Sequence, residues 1–188
     1  MTDHRSPWLL ADDRSALLVV DLQERLLPAI PSGDVIVYQT QRLLEAADLL
    51  GIPTAATVQY PKGLGQLDET LATWFTEPAA EKLDFSAAVC RQSMDAWASE
   101  GRDQIVVVGI ETHVCVLQTV LDLLNEDWQV SLVVEAVGAR GGQEHECALE
   151  QMKSAGATLT TVESVLFQWC RTADRPEFKA ISRMVKEG

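Results

Sequence analysis

The most constraining feature of this chain of 188 residues is the regular alternation of short apolar runs with segments of helical periodicity. Two runs, 16–20 (ALLVV) and 104–110 (QIVVVGI), are apolar almost throughout, which is typical of strands buried on both faces. Segments 34–50 and 143–155 are predicted to be helices, and each is followed by a glycine, a frequent C-cap. This alternation predicts βαβ units with right-handed crossovers and a parallel sheet covered by helices on both faces.

The same patterns predict the remaining elements. Strands are expected over 52–58, 82–85, 130–134 and 158–162, and helices over 88–99, 113–124 and 176–186. A short helix within 67–76 and a loop over 61–66 complete the prediction. The apolar face of helix 88–99 is expected to carry Cys90, Met94 and Trp97. The apolar face of helix 113–124 is expected to carry Val114, Leu117, Leu121 and Leu124. No linker or repeat divides the chain, so residues 1–188 are predicted to form a single domain.

The charge balance argues against several classes of partner. The chain has 28 acidic residues against 15 Lys and Arg, a net charge of −13, and no cluster of basic residues that could neutralise phosphates. No apolar run reaches the roughly 18 residues that a membrane-spanning helix needs. The polar N-terminal segment has no signal-peptide core, so a cytoplasmic location is expected. Neither nucleic acid nor a membrane is therefore expected as a partner.

The cysteines and histidines do not form a metal or redox motif. The four cysteines, at positions 90, 115, 147 and 170, are widely spaced, and the three histidines show neither H-x-x-H nor H-E-x-x-H spacing. Four cysteines in a chain of this length predict free thiols. The glycine-rich nucleotide motifs and the G-x-S-x-G serine elbow are also missing. No metal and no cofactor is therefore expected.

Two chemically active residues follow the clearest strands. Ligands of open parallel sheets bind beyond the carboxyl ends of the strands, at the switch point of strand order. Asp21 directly follows the first strand. It is either a structural residue, such as a helix cap or part of an ion pair, or a functional carboxylate. Cys115 follows strand 104–110 in the first turn of a helix, where the helix dipole is expected to lower the thiol pKa below neutrality. The alternative for Cys115 is a buried structural thiol.

Three segments resemble motifs of the isochorismatase-like hydrolases, a family of cysteine hydrolases. They are 17–23 (LLVVDLQ), 81–87 (EKLDFSA) and 108–116 (VGIETHVCV). Their shared order and spacing are more specific than any one of them. Segment 164–167 (SVLF) also fits the family, so the resemblance covers a core of about 15–168.

The resemblance implies a fold and a catalytic set. The fold would be a Rossmann-like three-layer αβα sandwich with a mostly parallel sheet of order 3-2-1-4-5-6. Cys115 would be the nucleophile, Asp21 the base that takes and returns its proton, and Lys82 their electrostatic partner. A cis peptide bond would join Ile110 to Glu111 and aim the N–H groups of Glu111 and Cys115 at a developing oxyanion.

The implied activity is hydrolysis of an amide or carbamoyl C–N bond through a thioester at Cys115, without a cofactor. A vinyl-ether hydrolase of the isochorismatase type and a non-catalytic binding protein on the same fold remain alternatives. Segment 57–63 (TVQYPKG) lacks the Asp-x-His metal site of the family's nicotinamidases, which disfavours nicotinamide and a metal. Segment 138–140 (GAR) keeps the arginine of a Ser-Ser-Arg-like turn but lacks its hydroxyls.

Two further expectations follow from the resemblance. Members of the family usually assemble into homo-oligomers, so a homo-oligomer is expected here. The residues expected to contact the substrate are Gln23, Tyr60, His113 and Arg140.

Overall fold

A six-stranded parallel sheet forms the centre of the computed structural model, which describes residues 5–186. The strands are β1 (Ser15–Val20), β2 (Thr54–Gln59), β3 (Ala80–Lys82), β4 (Gln104–Ile110), β5 (Gln129–Gly138) and β6 (Thr158–Thr160). Their order is β3-β2-β1-β4-β5-β6, and every neighbouring pair is parallel. The predicted sheet order is thus confirmed. The order reverses between β1 and β4, so the carboxyl ends of these two buried strands meet at one crevice.

Two layers of helices cover the sheet. The helices are α1 (Gly33–Leu50), α2 (Pro61–Leu64), α3 (Glu69–Ala72), α4 (Arg91–Ser99), α5 (Leu117–Asn125), α6 (Gly142–Ala155), α7 (Val162–Cys170) and α8 (Phe178–Lys186). Successive side chains of a strand point to opposite faces. Leu17 and Val19 of β1 therefore pack with α1, α7 and α8, whereas Leu18 and Val20 pack with α4, α5 and α6. None of the helices within residues 5–186 is long and apolar enough to cross a membrane.

Three boundaries differ from the sequence prediction for local reasons. Part of the predicted loop 61–66 is the short helix α2, which begins with a proline at a position that proline favours. Strand β3 ends at Lys82 instead of beginning there. Helix α7 was missed because the last strand was predicted to run to residue 162. In the structure the Thr161 hydroxyl accepts a hydrogen bond from the N–H of Ser164 and caps α7.

The most deeply buried positions of the helical segment after β4 differ from the predicted ones. It begins with a π-helical turn, Thr112–Val116, in which the N–H of Val116 bonds to the carbonyl of Glu111. A π turn takes more residues than an α turn, so the periodicity of the following helix is shifted. The fully buried apolar residues are therefore Val116, Val120 and Leu123, whereas the predicted Val114, Leu117 and Leu124 are only partly buried and pack against the edge of the same core.

Helix α4 starts later than predicted. A short 3-10 turn, Ala87–Val89, precedes it, and Cys90 lies at the N-cap position of α4. Met94 and Trp97 are buried as predicted, but Cys90 is only half-buried and does not belong to their apolar stripe.

Candidate active site

Asp21 is the first residue after β1 and is fully buried. Its φ of 53° lies in the left-handed region, which aspartate tolerates better than most residues. Oδ1 accepts a hydrogen bond of 2.8 Å from the Thr57 hydroxyl, and Oδ2 lies 2.6 Å from Nζ of Lys82. Both carboxylate oxygens therefore have a donor, as a buried charge requires.

Lys82 ends the edge strand β3, and its side chain has no exposed surface. Besides Asp21, its Nζ donates to Oε1 of Gln59 at 2.8 Å and to the carbonyl of Phe85 at 2.9 Å. Three acceptors at these distances match the three N–H bonds of an ammonium group. The neighbouring carbonyl of Asp84 lies farther away, at 3.3 Å. The ammonium group of Lys82 is thus surrounded by oxygen acceptors, one of which belongs to Asp21.

Sequence reasoning missed two residues that fix this ion pair. Thr57 and Gln59 lie on β2, are buried, and bond to Asp21 and Lys82, respectively. The amide nitrogen of Gln59 also donates to the carbonyl of Leu83 at 2.7 Å. A search of the carboxyl ends of all strands for polar residues would have included them, because both lie in the last three positions of β2.

Cys115 lies in the π-helical turn after β4, with 5% of its surface exposed. The charges of Asp21 and Lys82 both act on its thiol, so the three predicted catalytic residues lie close together. Burial, and then the charge of Asp21, raise the pKa of Cys115 to about 12, while Lys82 acts in the opposite direction. The expectation that the helix dipole lowers this pKa is therefore wrong, because burial and the neighbouring carboxylate outweigh it.

Gly109 pairs with Val20 of β1 just before this site, in a conformation that leaves no room for a side chain. Gly109 has a φ of 130°, and a Cβ built on it would lie 2.0 Å from the carbonyl oxygen of Val20. Only glycine permits this approach. The peptide bond between Ile110 and Glu111, shortly after Gly109, is cis. The close approach holds the turn that carries Cys115 beside Asp21.

The Thr119 hydroxyl joins the segment after Lys82 to the turn that carries Cys115. Thr119 of α5 is fully buried, and its Oγ1 accepts a hydrogen bond of 2.8 Å from the N–H of Ala87. The same hydroxyl donates to the carbonyl of Cys115 at 2.6 Å. Thr119 therefore couples the segment after Lys82 to the turn that carries the thiol.

Arg140 is 66% exposed and forms an ion pair with Glu111. Oε2 of Glu111 accepts hydrogen bonds from Nε of Arg140 at 3.0 Å and from its main-chain N–H at 3.2 Å. The two residues connect the end of β4 to the turn after β5. The charge of Arg140 is thus partly balanced by Glu111.

The other three residues expected to contact the substrate, Gln23, Tyr60 and His113, differ in their exposure and hydrogen bonding. Gln23 is fully buried, and its amide bonds to the main chain of Gln59 and Gly65, so the structure gives it a positioning role instead of a substrate contact. Tyr60 is 51% exposed, and its N–H donates to the carbonyl of Lys82. His113 is partly buried, and its Nδ1 has no hydrogen-bond partner within residues 5–186. Tyr60 and His113 can therefore still contact a ligand.

Metal ligands are not grouped in the described part of the chain. Within residues 5–186, no set of three or more His, Cys, Asp or Glu side chains is placed to hold a metal ion. The four cysteines are free thiols, of which Cys115 and Cys170 are buried, Cys90 is half-buried and Cys147 is exposed.

Comparison with known proteins gives consistent matches. The model of the isochorismatase domain matches residues 15–164. Isochorismatase domain-containing protein 1 of Danio rerio is 35% identical over 177 residues, which are 94% of this chain but only 62% of that protein. A solved structure described as the MAR1 ribonuclease of Caenorhabditis elegans is 38% identical, with a TM-score of 0.89 and coverage of 95% of this chain and 92% of that one.

A more distant solved structure shares the fold alone. It is the YcaC gene product of Escherichia coli, 23% identical with a TM-score of 0.82, covering 97% of this chain and 98% of that one. That protein is described as an octameric hydrolase of unknown specificity.

Proposed function

The chain belongs to the isochorismatase family, and from this premise we propose that it hydrolyses an amide or carbamoyl C–N bond of a small molecule through Cys115. Membership of the family supports a hydrolase of small molecules. The observation that carries the finer proposal is the buried ion pair of Asp21 and Lys82, whose two charges act on the buried Cys115 thiol. A nucleophile, a base and a compensating cation are the three parts that acyl transfer to a thiol requires.

In the first half of the proposed reaction, Asp21 accepts the thiol proton as the sulfur of Cys115 attacks the carbonyl carbon. The new C–S bond gives a tetrahedral intermediate whose oxygen carries the negative charge. The C–N bond then breaks, and Asp21 returns the proton to the leaving nitrogen. Ammonia or an amine departs, and a thioester remains on Cys115.

In the second half, water attacks the thioester carbon and gives one proton to Asp21. The C–S bond breaks, the acid product leaves, and the sulfur of Cys115 recovers the proton from Asp21. Lys82 remains protonated throughout and balances the negative charge, which lies first on Asp21 and then on the intermediate. No cofactor enters this scheme.

The raised pKa of Cys115 supports a proton transfer that accompanies attack. A thiol with a pKa of about 12 is neutral at rest, so the base must act during the reaction. Within this proposal, the N–H groups of Glu111 and Cys115 donate to the oxyanion that then forms. Two such donors typically stabilise a transition state by several kcal/mol.

Charge balance favours a neutral amide over isochorismate. The two cations of the site, Lys82 and Arg140, are already paired with Asp21 and Glu111. Isochorismate carries two carboxylates, whose burial without cationic partners is costly. Tyr60 and His113 are proposed to contact the neutral substrate, and Arg140 is proposed to act through Glu111.

RNA is not the proposed substrate, although one similar structure is described as a ribonuclease. A protein that neutralises phosphates concentrates Lys and Arg at its surface, whereas this chain carries a net charge of −13. We also propose a homo-oligomer and a cytoplasmic location, and neither nucleic acid nor membrane as partners.

A panel of small amides, read out by ammonia release, tests the proposal. The panel should include acetamide, benzamide, biuret and nicotinamide, together with isochorismate read out by pyruvate release. We expect turnover of at least one neutral amide and loss of that turnover in Cys115→Ala, with Cys147→Ala as the matched control because Cys147 is exposed. Hydrolysis of isochorismate alone, or undiminished activity of Cys115→Ala, would contradict the proposal.

A further inference from the structure

A groove of about 430 Å³ lies on the helical layer opposite to Cys115. It is bordered by Tyr38 and Arg42 of α1, by Trp74, and by Arg183 of α8. Its volume lies within the range of small-molecule sites. Cys115 packs with α4, α5 and α6, whereas this groove lies between α1 and α8, so it is separate from the catalytic crevice.

The two arginines of this groove are unusual in so acidic a chain. The chain has 28 acidic residues against 15 Lys and Arg. Other arginines, such as Arg14 and Arg91, form ion pairs with carboxylates. Within residues 5–186, neither Arg42 nor Arg183 forms such a pair, although Glu45 also borders the groove. Two guanidinium groups that border one groove without a carboxylate partner in an ion pair favour an anion there.

The side chain of Arg42 is held in place for such a role. Its NH1 donates to Oε1 of Gln39 at 2.8 Å, and its NH2 donates to the carbonyl of Met184 at 2.9 Å, which joins α1 to α8. Its guanidinium lies 5.9 Å from the centre of the Tyr38 ring. Its Nε is buried and lacks an acceptor in the described part of the chain. A buried donor without an acceptor is uncommon, so the hydrogen bonding of Arg42 is incomplete within the described residues.

We propose that the groove between α1 and α8 binds a small planar anion, an aromatic ring that carries a carboxylate or a phosphate group. The anionic group would bind Arg42 and Arg183, and the ring would pack against Trp74 and Tyr38. Aromatic side chains provide flat apolar surface for such a ring, and arginine recognises carboxylate and phosphate through paired N–H groups.

Calorimetric titration of the full-length protein with phenyl phosphate and with benzoate tests this site. Inorganic phosphate and the neutral ring compound benzamide are the comparison ligands, and Cys115→Ala protein is used so that benzamide is not hydrolysed during the titration. We expect saturable binding of at least one ring anion, about tenfold weaker binding in Arg183→Gln and in Arg42→Gln, and a change below about twofold in Lys179→Gln. Lys179 is exposed on α8 and does not border the groove, so its variant controls for net charge.

The comparison ligands separate the two halves of the proposed recognition. A lower affinity for inorganic phosphate than for phenyl phosphate would show that the ring contributes to binding. The relative affinities for phenyl phosphate and benzoate would show whether the site prefers a phosphate or a carboxylate group. Arg183 is exposed, so its variant is expected to fold, and its melting temperature checks this. No saturable binding of either ring anion up to about 10 mM, or equal binding to Arg183→Gln, would overturn the proposal.

Discussion

Nζ of Lys82 and Oδ2 of Asp21 lie 2.6 Å apart, and neither side chain has exposed surface. Removing one partner leaves a buried charge, which costs about 3–5 kcal/mol in comparable pairs. We therefore expect Lys82→Met to lower the free energy of unfolding by about this amount, measured by urea denaturation. The double variant Asp21→Asn with Lys82→Met should recover part of the loss, because it contains no unpaired charge.

The exposed ion pair of Arg91 and Glu126 provides the matched control. Exposed pairs contribute less than about 1 kcal/mol, so Arg91→Gln is expected to change stability by no more than that. If Lys82→Met were as stable as Arg91→Gln, the buried pair would not have the importance assigned to it.

Asp21→Asn should separate the reactivity of Cys115 from turnover. The charge of Asp21 and its hydrogen bond both raise the pKa of Cys115, whereas Lys82 lowers it. Without Asp21 the thiolate forms more easily, so iodoacetamide should modify Cys115 faster at pH 8. Turnover of an amide should fall at least about 100-fold, because the base is lost. Undiminished turnover in this folded variant would argue against Asp21 as the base.

The stability of the protein should decline at alkaline pH in a way that depends on Cys115. Its pKa is raised to about 12 from the ordinary 9.0, mainly by burial, so its proton is retained longer in the folded state. This contribution is complete below pH 9 and is lost as the pH rises from 9 towards 12. At pH 10 we expect the wild type to have lost about 1 kcal/mol relative to its own stability at pH 8, beyond the loss shown by Cys115→Ala. Identical pH profiles for the two proteins would contradict the assigned environment of the thiol.

Gln59 should matter for turnover more than for substrate binding. Its Oε1 accepts from Lys82 and its Nε2 donates to the carbonyl of Leu83, so it orients the ammonium group. We expect Gln59→Leu to lower kcat about tenfold with a smaller change of KM. Gln66→Leu, at an exposed position, is the control. A change confined to KM would indicate a substrate contact instead.

The sequence was most informative where apolar runs are long. Strand β4 has the predicted bounds, and the rule that ligands bind at strand ends located Asp21 and Cys115. Lys82 could be assigned only from the family resemblance, because it ends an edge strand of three residues that has no clear pattern of its own. The roles of Thr57 and Gln59 depend on distances that a single sequence does not contain.

The largest errors concern properties that depend on packing. The pKa of Cys115 was misjudged because burial and the proximity of Asp21 arise from tertiary structure. The most deeply buried positions of the helix after β4 differ from the predicted ones because a π turn precedes it, and the usual helical periodicity does not reveal one. The expected substrate contact of Gln23 was misjudged because the backbone of Gln59 and Gly65 occupies its amide.

Rapid-quench mass spectrometry of the intact protein, mixed with an amide that it hydrolyses, is the most direct test of Cys115 as the nucleophile. We predict a transient mass increase equal to the acyl group of that amide, located on the peptide that contains Cys115 and reversed by hydroxylamine. Continued turnover with no adduct at Cys115, together with full activity of Cys115→Ala, would contradict covalent catalysis by this thiol.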